Sequence, residues 1–70
     1  MKLGDKILII PSEELIEYRL MALSYREGHI VEIHTNKSGI LGAWVELIGE
    51  PYLEEQEWFI PVTSIQKLGQ

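Results

Sequence analysis

Cysteine is absent from these 70 residues, which excludes disulfides, zinc ribbons, thiol nucleophiles and thiolate-ligated clusters together. A chain without covalent staples suits a reducing compartment, and we expect the cytoplasm. Basic residues are scarce as well: six Lys and Arg stand against eleven Asp and Glu, for a net charge of -5. General nucleic-acid binding draws its free energy from clustered Lys and Arg, so nucleic acid is not the expected partner. Long hydrophobic runs are also lacking. Aliphatic stretches such as Ile7-Leu8-Ile9-Ile10 stop far short of a membrane span, and Met1-Lys2-Leu3-Gly4-Asp5 has no long apolar core of a signal peptide. Neither secretion nor a membrane partner is expected. The length allows one small domain, residues 1–70, which buries only about 60% of the surface its unfolded chain exposes and has a thin core.

What the chain does have is 46% hydrophobic residues, among them ten Ile and three Val. β-branched richness favours strands. Residues 6–10 follow Gly4-Asp5 and end at Pro11, which cannot continue a ladder. Residues 29–35 alternate, with Val31 and Ile33 on one face and Ile30, Glu32 and His34 on the other. Residues 43–48 place Ala43, Val45 and Leu47 on one face and turn Trp44, Glu46 and Ile48 to the opposite one. Residues 57–60 put Trp58 and Ile60 on one side and Phe59 on the other. A tight turn through Val62-Thr63-Ser64 then leads to a last strand over residues 65–68. The expected central core is Val31, Ile33, Val45, Leu47, Ile60 and Val62, with Trp58 in phase with it.

Residues 11–25 are the exception. Leu15, Tyr18 or Arg19, Ala22 and Tyr25 recur at helical spacing, Ser12 stands as N-cap before Glu13-Glu14, and Gly28 lies just beyond. Two loops are legible, a polar turn over residues 34–39 and an acidic loop over residues 49–56. Five short strands are too few for a two-sheet sandwich, so the fold class expected is all-β, a small strongly bent barrel with a short helix in its first long loop.

Leu23-Ser24-Tyr25-Arg26-Glu27-Gly28-His29-Ile30-Val31-Glu32-Ile33 resembles the SH3 family's run of Leu, Ser, aromatic, two polar residues, Gly, a polar residue and an alternating strand. Trp44-Val45-Glu46-Leu47 is similar to the strand that opens with that family's groove tryptophan. Phe59-Ile60-Pro61-Val62-Thr63-Ser64-Ile65 resembles its closing strand, proline, single 3₁₀ turn and final strand. The resemblance spans about residues 23–68 and implies a five-stranded SH3-like barrel. Family members that bind proline-rich peptides present an aromatic shelf. Here the first strand carries aliphatics, Ile7-Leu8-Ile9-Ile10, and Ser64 stands at the turn-tyrosine position. The resemblance leaves Trp44 and Pro61 as groove residues, and Glu13, Glu14 and Glu17 where the family holds a ligand's basic residue. Tyr18 and Tyr52 are candidates to replace the missing stacking area.

Two weaker likenesses accompany it. Arg26-Glu27-Gly28-His29-Ile30-Val31 is similar to the KOW motif of RNA- and transcription-machinery-binding barrels, the alternative reading of function. Gly4-Asp5-Lys6-Ile7, Gly28-His29-Ile30-Val31 and Ile60-Pro61-Val62 resemble the plasmid-type dihydrofolate reductases. Those enzymes build their pore from Val-Gln-Ile-Tyr before the proline, whereas this chain has Glu57-Trp58-Phe59-Ile60, without the glutamine and tyrosine that contact cofactor and folate.

No catalytic constellation emerges otherwise. His29 and His34 are five apart and point to opposite faces of a strand. Glu32, His34 and Glu46 read as a solvated sheet face, so no metal is expected. Gly39 and Gly42 lack the following Lys-Ser/Thr of a phosphate loop. Ser24 and Ser64 read as turn serines, and Glu54-Glu55-Gln56-Glu57 reads as a solvated charge run. We therefore expect a non-enzymatic protein-interaction module with no cofactor, binding a basic or proline-containing, cationic protein or peptide segment.

Overall fold

The computed structural model describes residues 1–68. Five strands, β1 (Lys6–Ile9), β2 (Glu27–Thr35), β3 (Leu41–Leu47), β4 (Glu57–Pro61) and β5 (Ile65–Lys67), form one antiparallel sheet in the order β4-β3-β2-β1-β5. The two edge strands β4 and β5 are joined by only the single 3₁₀ turn Val62–Ser64. A connection this short between opposite ends of a sheet forces the sheet to curl on itself. The all-β barrel with a short helix after β1 is thus the fold, within extents of 27 × 25 × 18 Å.

The core is Ile7 and Ile9 from β1, Leu15, Leu20 and Leu23 from the segment after it, Ile30 from β2, Ala43, Val45 and Leu47 from β3, and Ile60 from β4. Three members of the expected core lie outside it. Val31, Ile33 and Val62 are each exposed by about two fifths of their surface. The cause in β2 is a bulge between Ile30 and Glu32, where one extra residue reverses the inward-outward alternation and leaves Ile30, not Val31, inside. Ile33 pairs with the buried Ala43 yet itself stays exposed. Val62 opens the 3₁₀ turn and faces out, while the turn buries Ser64 completely. Trp58 is half-buried, packed against the core rather than within it.

The helix is far shorter than the sequence spacing suggests. Only Glu13–Glu17 (α1) is α-helical, with a separate 3₁₀ turn at Met21–Leu23. Ser12 caps α1 as expected, its Oγ accepting from the Leu15 N–H at 3.1 Å. The stop comes at Arg19, which adopts φ 60°. Leu20 N–H then donates to the Leu15 carbonyl at 3.0 Å and Arg19 N–H to the Ile16 carbonyl at 2.9 Å. This paired bonding is a Schellman termination, normally built on glycine, with its usual apolar contact between the residues corresponding to Leu15 and Leu20. Gly28, expected as the residue past the helix, sits inside β2 instead. A Cβ there would meet the Glu46 carbonyl oxygen at 2.7 Å, so β3 requires the glycine.

Candidate functional site

The outward faces of β3 and β4 carry one aromatic each, Trp44 and Phe59, directly opposite one another. Leu47 N–H donates to the Gln56 carbonyl at 2.8 Å, which sets the alternation of the ladder. Trp44 and Phe59 therefore form a non-hydrogen-bonded pair, the kind in which side chains approach most closely. Their rings lie 5.9 Å apart at 67°. Phe59 also meets His34 of β2 edge-on at 6.0 Å and Tyr18, just past α1, at 6.2 Å. Phe59 is the hub of this group, and offset or edge contacts of this geometry are favourable for aromatic pairs.

These rings line a groove of about 530 Å³, completed by Leu20, Asn36, Trp58, Glu55 and Glu57. Asn36 ties its walls to the β2–β3 turn. Its Oδ1 accepts from the Ser38 and Ile40 N–H groups at 2.9 and 3.0 Å, which leaves its Nδ2 to donate to the Tyr18 hydroxyl at 2.8 Å. The Trp58 indole N–H donates to the Glu55 carbonyl at 3.0 Å, and Tyr52, outside the groove lining, packs against Trp58 with ring centres 5.4 Å apart and tilted by 57°. That loop is a two-residue reversal. Tyr52 and Glu55 exchange backbone hydrogen bonds across Leu53 and Glu54, both left-handed at φ 50° and 68°.

The charge of the groove has one sign. Glu55 and Glu57 line it with no Lys or Arg among the lining residues, and Glu46 on β3 is directly opposite Glu57 on β4. Two of the six basic side chains are engaged elsewhere. Lys6 pairs with Glu27 at 3.3 Å. The Arg26 guanidinium donates to the Ile48 carbonyl at 3.2 Å and to that of Glu50, bracing the loop after β3. Among the described residues no cluster of three or more His, Cys, Asp or Glu side chains is arranged to hold a metal.

Of the residues singled out in the sequence, Trp44 and Tyr18 line the groove, with Trp44 37% exposed. Tyr52 backs it through Trp58. Pro61 does not reach it, because it is buried opposite Gly42. Glu13, Glu14 and Glu17 lie on α1 outside the groove lining, and Glu14 accepts from the Thr63 hydroxyl at 2.9 Å. The carboxylates at the groove are instead Glu55 and Glu57. Phe59, His34, Asn36 and Leu20 were not candidates in the sequence. The available signal was two outward aromatics, Trp44 and Phe59, on successive antiparallel strands, but their register is set by a loop whose geometry the sequence does not reveal.

The chain matches no family model, no curated protein and no solved structure.

Proposed function

We propose that this protein is a non-catalytic, SH3-like interaction module whose aromatic groove takes a basic or proline-containing segment of a protein partner. The observation that carries the reading is the combination in one groove of Trp44, Phe59 and Tyr18 with Glu55 and Glu57 and no Lys or Arg in the lining. Aromatic faces attract Arg and Lys heads by cation–π contact and accept proline rings, while the acids favour a cationic ligand. The meander order of the strands and the 3₁₀ turn before β5 support the SH3-like kinship. A cytoplasmic setting belongs to the same reading and suits a chain without cysteine.

The test is an NMR titration with an Arg-containing proline-rich peptide, using the wild type and Trp44→Ala. Shifts centred on Trp44, Phe59 and Glu57, weaker at high salt and lost in a still-folded Trp44→Ala variant, are the expected result. Salt sensitivity follows from screening over a Debye length of about 8 Å at physiological ionic strength. Binding to RNA with shifts around Arg26 and Lys37 and none at Trp44 would reject the reading in favour of nucleic acid.

A further inference from the structure

Three consecutive residues of β4, Glu57, Trp58 and Phe59, all line the groove. Successive side chains of a strand point to opposite faces of its sheet. A groove running along the strand's open edge, its floor partly the β4 backbone, touches all three. The sheet order makes β4 an edge strand. With Leu47 bonded to Gln56, the hydrogen-bonded pairs in register are Val45 with Trp58 and Ala43 with Ile60. The N–H and C=O groups of Glu57 and Phe59 therefore point away from β3. Among the described residues no other hydrogen bond engages them.

Resting on the interaction reading above, we infer that the partner segment binds as an added strand along β4, exchanging backbone hydrogen bonds with Glu57 and Phe59. Its side chains then alternate. Those on the outer face meet Phe59, Trp44 and the Glu57 carboxylate and are cationic, and those on the other meet Trp58 and Leu20 and are apolar. The occupant is an extended segment alternating basic and apolar residues. Charge decides against a second copy of this chain, since a net charge of -5 and the Glu55 and Glu57 carboxylates at the edge oppose self-pairing.

The probe is acetyl-Arg-Val-Arg-Val-Arg-amide, compared with two forms carrying backbone N-methyl groups on the arginines only or on the valines only. Alternate N–H groups of a strand point to opposite edges, so only one methylation pattern removes the donors that face β4. We expect that pattern to weaken binding about tenfold or more and the other to change it by less than about twofold, given the worth of one or two lost hydrogen bonds. Exchange of the Phe59 amide with solvent should slow on binding. If both N-methylated forms bind like the parent and Phe59 exchange is unchanged while groove resonances shift, strand addition is overturned and the groove reading survives. If neither this peptide nor the proline-rich one shifts the groove, both are overturned.

Discussion

Gly42 and the ring of Phe59 interlock: a methyl group at position 42 would stand 2.7 Å from Phe59 Cζ and press against the Ile60 carbonyl oxygen. The absence of a side chain on β3 is what lets the hub of the groove lie down on the sheet. Gly42→Ala must displace the ring or part β3 from β4. Overpacking of this kind typically costs about 1–3 kcal/mol. Urea denaturation should show a lower midpoint with an unchanged slope, and an unchanged midpoint would mean that Phe59 does not rest on Gly42.

Arg19 holds a left-handed conformation where glycine is the usual choice. Arg19→Gly removes a steric strain of about 1–2 kcal/mol at the cost of glycine's greater freedom in the unfolded chain. The expected net result is a gain of about 0.5–1 kcal/mol, read as a higher thermal midpoint. Loss of stability would show that the arginine side chain holds more than the backbone strain takes away.

The reversal at Leu53 and Glu54 carries two left-handed non-glycine residues between a pair of backbone hydrogen bonds. Asn-Gly is the sequence this two-residue turn favours. The double variant Leu53→Asn, Glu54→Gly should gain about 1 kcal/mol and raise the melting temperature by about 4–8 °C. Its tryptophan emission should match the wild type if Trp58 keeps its bond to the Glu55 carbonyl.

Glu46 and Glu57 face each other across β3 and β4. Like charges directly opposite destabilise a sheet. Glu57→Gln should therefore raise stability by about 0.2–0.5 kcal/mol and, at the same time, weaken cationic peptide binding and flatten its salt dependence. Opposite signs for the two effects are the diagnostic outcome, since a purely structural carboxylate would move stability alone.

The sequence by itself determined the class of fold. Local signals suffice where their physics is local: β-branched runs bounded by Gly and Pro place the strands, and Ser12 before Glu13-Glu14 marks where α1 begins. The outward phase of Trp44 follows from alternation along a single strand. Tertiary structure decided the rest. A bulge at Val31 reverses the alternation in β2 without any residue that announces it, because the extra residue is defined only against its partner on β3. Arg19 ends the helix in place of glycine because Leu15 and Leu20 are both buried in the core, which holds a backbone conformation the arginine alone would avoid. Ser64 is buried where the sequence suggests only a polar turn, its hydroxyl 2.5 Å from that of Ser12 across the fold. The groove depends on the same non-local geometry. Trp44, Phe59, Tyr18 and His34 come from four separate segments: the pairing of β2, β3 and β4 sets three of them side by side, and the chain after α1 brings Tyr18 against Phe59.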